Sequence, residues 1–541
     1  MDFFTLLQSK IDKQHATIID KPRATQLYGN TTFSEQVQLD AAIVVLHEDV
    51  IKTILTLANE LMFHLYPISS GKNWGYGSVQ NTPLSHPKVV LDLGQLKKIT
   101  PTSEELGLIT IQPGVTQQDL YDYLQSNHWP FMVPVTGAGP SCSILSNALE
   151  RGYGITPRTD HFAAVNALKA YLPHPDLCQT LYQSAVSGLD GSGTDFIDKT
   201  FKWGLGPYID GLFTQSNFAI VTEITIRLAP IPKHFSAFYL QVFDEKNFND
   251  AVELIRNLLM DCEGIVGSIN LMDRSRLVSM VADNPNGNKQ HLNMTAEQIS
   301  HIARQKRIPQ WLVVGSMYGT KSVVNSTKRE LNQRGKKLGT INFSDSWLMS
   351  GAKFMAKLPL PRFAALDNIK DQLRSLDEGI EIMLGKPNQV ALPLAYWRNP
   401  HARPDKATAL LPDKDKCGLL WYAPLIQMAP EVLSDFVDFI RRTTPKYGIE
   451  PLVTFTNLRH DCIDSTVPLV FDLTNEAAVK LAHQCLDELF TEGCKQGFVP
   501  YRINTEQQSQ LNKDDIFWQT TRLLKNAVDP NNIISPMRYN P

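Results

Sequence analysis

Three glycine-rich stretches hold the residues best suited to chemistry. The first is Pro67-Ile68-Ser69-Ser70-Gly71-Lys72-Asn73-Trp74-Gly75-Tyr76-Gly77-Ser78. Closely spaced glycines let successive backbone N–H groups converge on an anion, and Ser69, Ser70 and Asn73 add side-chain donors. The second is Val135-Thr136-Gly137-Ala138-Gly139-Pro140-Ser141-Cys142-Ser143, which leads into Asn147-Ala148-Leu149-Glu150-Arg151-Gly152-Tyr153-Gly154. The third runs Lys202-Trp203-Gly204-Leu205-Gly206-Pro207-Tyr208-Ile209-Asp210-Gly211-Leu212-Phe213 and closes with Thr214-Gln215-Ser216-Asn217. Any one alone reads more readily as a tight turn without a ligand. Three in one domain, each expected beside a strand, point to a phosphate-rich cofactor.

The common alternatives lack their residues. The stretch from Gly137 to Cys142 has no third glycine where a dinucleotide fingerprint needs it, and Pro140 removes an N–H that could hold pyrophosphate. No Walker loop, H-E-x-x-H or paired Cys/His zinc spacing occurs, so no metal site is expected. Residues 190–195 resemble the start of a calcium loop, but Asp195 replaces the glycine at its sixth position and Phe201 the glutamate at its twelfth. That stretch reads as a solvated turn.

The elements that must position these loops alternate along residues 31–230. Residues 41–46, 65–68, 89–93 and 108–111 read as strands, and 50–65 and 117–126 as helices, with an amphipathic N-terminal helix carrying Phe3, Phe4, Leu7 and Ile11. Residues 220–228 alternate like a half-buried strand and stop at Ala229-Pro230-Ile231-Pro232, a domain boundary. Beyond it, 238–242, 312–315 and 418–422 read as strands, 247–262 and 515–528 as helices, and 283–289 as a surface loop. The mixture is α+β.

Composition narrows the class further. The 541 residues exceed one compact core, and 52 Lys plus Arg against 55 Asp plus Glu leave a net charge of −3. That balance gives no electrostatic case for a nucleic-acid or anionic-membrane partner. Mean hydropathy is −0.19, and no apolar run is long enough for a spanning helix. The seven cysteines are scattered without C-x-x-C, and the N-terminus lacks a signal-peptide pattern, so a cytoplasmic protein with reduced thiols is expected.

With these segments in hand, the chain resembles the vanillyl-alcohol oxidase/p-cresol methylhydroxylase family. The matching runs are 67–77, 147–157 with Asp160-His161, and 202–221. They continue at Ala395-Tyr396-Trp397-Arg398, Tyr501-Arg502, Asn526-Ala527-Val528-Asp529-Pro530-Asn531 and 534–536. The K-W-G-x-G-P-Y-I-D-G-x-F-T-Q-S-N run is the most specific of them. The resemblance implies a p-cresol methylhydroxylase-type, two-subdomain FAD-binding domain over 1–231. An inserted α+β cap or substrate domain would span 232–499, with a return to the FAD domain over 500–541. It implies FAD held by Ser69, Ser70, Gly71, Lys72, Asn73, Tyr76, Gly77, Val135, Thr136, Gly137 and Ser143. Asn147, Gly152, Gly154, Asp160, His161, Asn217, Ile220, Val221 and Arg538 complete that set.

The same resemblance implies a phenol site made of Tyr76, Tyr501 and Arg502. A guanidinium and two phenolic donors favour the phenolate, which pushes electron density towards the para carbon and helps its benzylic or allylic C–H leave as hydride to flavin N5. The bland alternative is that the tyrosines pack and Arg502 meets only the flavin. Asp464 or Ser465 falls where relatives with a covalent flavin carry His or Tyr, and His460 is out of register, so non-covalent FAD is expected. Val135 takes the place of an acidic residue, leaving the base near N5 absent or supplied from elsewhere. Arg538 follows Met537 where the family has glycine, and still brings positive charge towards the reduced flavin. The expected activity is oxidation of a para-substituted phenol, with oxygen the favoured acceptor over a separate cytochrome or other acceptor protein. A second copy of the chain is a further candidate partner. The alternatives are a dehydrogenase or oxidase of a non-phenolic alcohol or amine, and a binding protein that retains the fold without turnover.

Overall fold

The computed structural model describes residues 3–184, 196–287, 289, 292–345, 377–405, 409–457 and 459–541. Residues 190–195, compared above with a calcium loop, lie outside them, as do Leu458 and part of the 283–289 loop. The chain divides into two compact units, one of residues 1–153, 160–229 and 503–541, the other of 154–159 and 230–502. The first division falls inside the Ala229-Pro230-Ile231-Pro232 run. The second falls after Arg502 and not at 499, because the Tyr501 N–H donates to Ala423 O at 3.1 Å and keeps the chain on the second unit's sheet. Residues 154–159 also group with the second unit, where the Tyr318 hydroxyl donates to Ile155 O at 3.4 Å.

The first unit has two sheets. The order of the first is Ala16–Ile19, Ala41–Val45, Lys88–Asp92, His64–Ile68, with the last three parallel. Runs such as Ala-Ala-Ile-Val-Val are continuous because both faces are covered. The helix Val50–Leu61 packs one side with Ile51, Ile54, Leu55 and Ala58, each fully buried. It ends earlier than the residue-65 limit expected from its pattern. Met62 adopts φ 54, and Leu65 and Tyr66 are taken into parallel pairing with Val89 and Val90. The second sheet is antiparallel, ordered Ile99–Ser103, Leu108–Ile111, Ile220–Arg227, Val165–Tyr171, Leu181–Gln183. Its neighbouring helix Gln117–Ser126 starts at a capping box, in which Thr116 and Asp119 satisfy each other's backbone N–H. The third glycine-rich stretch departs from the expectation of a flanking strand on its N-terminal side. It follows the helix Phe196–Thr200 and contains the 3₁₀ turn Asp210–Phe213.

The second unit is built on a nine-stranded sheet whose assigned pairings are antiparallel. Its order is Thr340–Asp345, His234–Val242, Trp311–Gly319, Val266–Asp273, Thr454–Asn457, Cys462–Asp472, Pro424–Gln427, Val499–Pro500, with Cys417–Tyr422 also pairing on Cys462–Asp472. The helix Phe248–Asp261 repeats apolar residues at 248, 251, 252, 255, 258 and 259, all buried. Phe248 packs on Trp311 with ring centroids 4.4 Å apart and the planes tilted by 37°, and Phe436 of the helix Pro430–Thr443 meets Phe455 at 5.8 Å. Each such side chain contributes about 1.5–3 kcal/mol on burial. One face of the sheet is thereby closed by helices, while the alternate residues form the opposite face.

Candidate functional site

In the first unit the strand His64–Ile68 delivers Ser69 and Ser70 to a loop whose Gly71, Gly75 and Gly77 all have positive φ. A side chain at Gly71 would meet nothing within 4 Å, so this backbone borders open space. Gly77 differs: a Cβ there would lie 2.9 Å from both Phe33 and Thr505 Oγ1. The loop is held from within and without. Asn73 Nδ2 donates to Gly77 O at 2.5 Å, Gly75 N to Thr32 Oγ1 at 2.8 Å, and Thr505 N to Tyr76 O at 2.8 Å. Lys72 Nζ stands 5.2 Å from the centre of the Trp74 ring.

The second stretch is bonded to the first. Ser143 N donates to Ser70 Oγ at 3.1 Å, and the Ser69 and Ser146 hydroxyls are 2.6 Å apart. Ser143 also caps the short helix Ile144–Leu149 by accepting from Ser146 N. Thr136 exchanges two hydrogen bonds with the Gln117 carboxamide, each 3.1 Å, beside fully buried Val135 and the open turn at Gly137. Further along, Asn147 Nδ2 lies 2.6 Å from His161 Nδ1, and a Cβ at Gly152 would fall 2.1 Å from Asn147 Oδ1. A side chain at residue 152 would have to displace the Asn147 carboxamide from its contact with His161. Burial pushes the His161 imidazole down to about 4, so it is neutral, and its buried Nε2 has no partner among the described residues.

The remaining residues of the expected cofactor set divide. Asn217 donates to Ser535 O at 3.1 Å, while its buried Oδ1 has no partner among the described residues. Ile220 and Val221 are buried on the central strand of the second sheet. Arg538 is ion-paired with Glu150, which partly neutralises the charge expected to act alone. Asp160 accepts from Ala163 N at an exposed turn, and Gly154 belongs to the second unit. The specific third run serves structure as well: buried Asp210 accepts from Tyr182 Oη at 2.7 Å and Ser184 Oγ at 2.6 Å. Lys202 donates to Phe162 O and lies over the Phe162, Trp203 and Tyr208 rings.

A family model described as an FAD binding domain matches residues 39–175, a range that carries the first two loops. The 1'-carboxy-chondrochloren decarboxylase of Chondromyces crocatus is 29% identical over 496 residues, covering 90% of this chain and 88% of that protein. The 4-cresol dehydrogenase [hydroxylating] flavoprotein subunit of Pseudomonas putida is 26% identical over 507 residues, covering 92% and 87%. The fold matches a crystal structure of p-cresol methylhydroxylase with a TM-score of 0.83 at 24% identity, covering 99% of this chain and 96% of that one. The chain is similar in sequence to members of the vanillyl-alcohol oxidase/p-cresol methylhydroxylase family and shares the fold of p-cresol methylhydroxylase. Residues 39–175 carry an FAD-binding domain.

The first unit fits the cofactor of this family by its own geometry. Gly71 is exposed and borders open space, and His161 Nε2 and Asn217 Oδ1 are buried polar atoms without a partner among the described residues, which suits a polar ligand. No described cluster of His, Cys, Asp or Glu could hold a metal ion, and no described helix is long and apolar enough to cross a membrane.

In the second unit, Tyr501 and Arg502 leave the edge strand Val499–Pro500, both half-buried. Asp464 and Ser465, in the position compared with the family's flavin linkage, are fully buried on the strand Cys462–Asp472. Burial drives the Asp464 carboxyl well above the usual carboxylate range, against a smaller opposing effect of the Thr466 hydroxyl. Two features escaped the sequence reading. One is the acid-bearing row around Asp464; the other is Lys525, whose Nζ is bonded to Asn217 O, Asp529 Oδ2 and Ile534 O at 2.5, 2.5 and 3.0 Å. An i,i+4 Lys–Asp spacing was the only sign of the second.

Proposed function

We propose that the protein oxidises a para-substituted phenol at its benzylic or allylic carbon. The observation that carries this reading is the Tyr501-Arg502 pair, half-buried where the chain leaves the second unit's sheet. Arg502 stabilises the substrate as phenolate by charge, and Tyr501 donates a hydrogen bond to the phenolate oxygen. The Tyr76 backbone is fixed by Asn73 and Thr505, so its ring is presented from a rigid loop. The relative named for 4-cresol supports a phenolic substrate. FAD, when bound, would supply the hydride acceptor. Ser69, Ser70, Asn73 and the backbone around Gly71 would hold its pyrophosphate, and Asn147, His161 and Asn217 would supply further polar contacts.

A second reading is favoured by the decarboxylase relative: the side arm carries a carboxylate that leaves as carbon dioxide during oxidation. Release of carbon dioxide from an arylacetic-type substrate separates the two.

The holoprotein mixed anaerobically with para-alkylphenols is expected to lose its yellow colour, and air is expected to restore it within minutes. A yellow protein that no phenol bleaches would refute the phenol reading. A flavin that stays reduced in air yet reoxidises with an artificial dye would make the protein a dehydrogenase. Attachment is tested separately. The strand at the family's linkage position offers only a buried acid and a buried serine, so acid precipitation should release all of the FAD. A fluorescent band on a denaturing gel would overturn this, with His460 and Cys462 the first residues to replace.

A further inference from the structure

The helix Ile516–Val528 in the first unit is turned inside out. Of its 13 residues only Lys525 is buried, and the half-buried ones beside it are Trp518, Thr521, Arg522 and Val528. The Lys525 ammonium is held there by Asn217 O, Asp529 and Ile534 O. The opposite side carries Ile516, Phe517, Leu523 and Leu524, exposed by 73%, 64%, 71% and 39%. Thr520 stands between them, and no charged residue of the helix lies on that side. Arg522 turns away, its guanidinium donating to Lys513 O at 2.7 Å. An isolated helix of this length is marginal in water, and helices in proteins draw most of their stability from burying an apolar face. This one buries a cation and leaves its apolar face wet. Such a stripe marks an interaction surface.

The pattern also specifies what covers it. Ile516 and Phe517 precede Thr520 by four and three residues, and Leu523 and Leu524 follow it by three and four, positions that share one side of a helix. The row is therefore self-complementary about Thr520. An antiparallel second copy sets Ile516 on Leu524 and Phe517 on Leu523, each contact made twice by the two-fold axis, and the small Thr520 lets the helices approach where they cross. Lys513, exposed just ahead of the helix, then falls towards the C-terminal end of the facing helix, where a cation is favoured.

Area and charge favour the same occupant. At roughly 100 Å² each, the four side chains supply about half of the ~800 Å² that each partner buries in a standard interface. The third glycine-rich stretch exposes Trp203 by 61% and Leu205 by 76%, and is anchored on the same core, since Val528 packs on the cluster that contains Phe213. A lipid surface fits less well. Asp514 and Asp515 are exposed at the start of the helix and the chain carries a net charge of −3, which an anionic bilayer repels.

We propose that the helix Ile516–Val528 is a dimer contact, packed antiparallel against the same helix of a second copy about a two-fold axis through Thr520. The proposal is independent of the substrate. Dimerisation steadies the same helix whose Lys525 braces Asn217 and Ile534.

The test is sedimentation velocity of the full-length, FAD-loaded protein at micromolar concentration. The wild type is expected to sediment as a dimer and Leu523→Asp as a monomer, its dissociation constant raised at least about 100-fold because the two-fold axis buries the new charge twice. Flavin absorbance and far-UV circular dichroism of the variant should match the wild type, since residue 523 faces solvent in the single chain. Phe517→Leu, which keeps an apolar side chain, should stay dimeric. Thr520→Cys should form a reductant-sensitive covalent dimer under mild oxidation, whereas Thr521→Cys, on the inward side, should not; this pair decides the matter even if Leu523→Asp folds poorly. A monomeric wild type, a folded Leu523→Asp variant that still dimerises, or cross-linking as ready at 521 as at 520 overturns the proposal. So does a monomer that co-sediments with phosphatidylcholine vesicles, which would assign the face to a membrane.

Discussion

Arg502→Met is expected to lower kcat/KM for the best phenol by about 100- to 1000-fold while the protein remains yellow, the scale seen when one preorganised charge contact to a reacting anion is removed. Methionine keeps the length and apolar stem of the side chain and removes only the guanidinium. The loss should therefore depend on pH in a definite direction. At neutral pH a free phenol is protonated, because its pKa is near that of tyrosine, about 10. The variant must then wait for the rare phenolate, whereas the wild type stabilises it. As pH approaches 10 the substrate ionises in solution, so the gap between the two enzymes should narrow. Rapid-reaction reduction of the flavin, followed from pH 7 to pH 10, reads this directly. Equal rates at every pH would remove Arg502 from the chemistry and leave it a packing residue. Activity that collapses together with the flavin spectrum would show instead that Arg502 serves cofactor binding.

The largest effect on stability is expected at Lys525. Its ammonium is 1% exposed and bonded to the carboxylate of Asp529, which is fully buried and accepts from the N–H groups of Ile533 and Ile534 at 2.9 Å. Burial pushes the lysine down to about 8 against the opposing pull of Asp529, so the pair is held by geometry in a site hostile to either charge alone. Lys525→Met strands the carboxylate and should cost about 3–5 kcal/mol. Lys525→Met combined with Asp529→Asn should recover part of that loss, since neither charge then remains. Because Lys525 also bonds the backbone of Asn217, the single variant should bind FAD more weakly as well. Urea unfolding and FAD titration of the two variants measure both effects. An unchanged unfolding midpoint in Lys525→Met would show that water, and not the protein, compensates that charge.

The parts of this molecule that the sequence makes legible are those written in local chemistry. Thr116 and Asp119 announce the start of the helix Gln117–Ser126, which the structure places at the expected residues. Glycine spacing marks the loop at 69–77, because positive φ at residues 71, 75 and 77 leaves few other choices. What remains hidden depends on register or on distance along the chain. Asp464, Ser465 and Thr466 form a polar run that reads as a solvated stretch; only the position of that strand within a nine-stranded sheet buries the acid. Lys525 and Asp529 look like an exposed helix pair, and nothing nearby shows that Asn217 and Ile534 close around them. The pairing of Arg538 with Glu150 joins residues 388 positions apart, beyond the reach of any motif.

The strand His64–Ile68 has a consequence for how the molecule is made. Leu65 N donates to Ile533 O and Ser535 N to Leu65 O, so a strand that leaves the ribosome early finds its neighbour 470 residues later. At about 5–20 residues per second, that neighbour arrives roughly 25–90 s after the strand. Residues 230–502 form most of the other unit in one continuous piece and can fold during this interval. The sheet beneath the Ser69 loop must wait with an uncovered edge beside Leu65. Its completion, and with it a rigid cradle at Gly71, is therefore a late event in synthesis, and the nascent chain is most vulnerable to aggregation through that edge before residue 535 emerges.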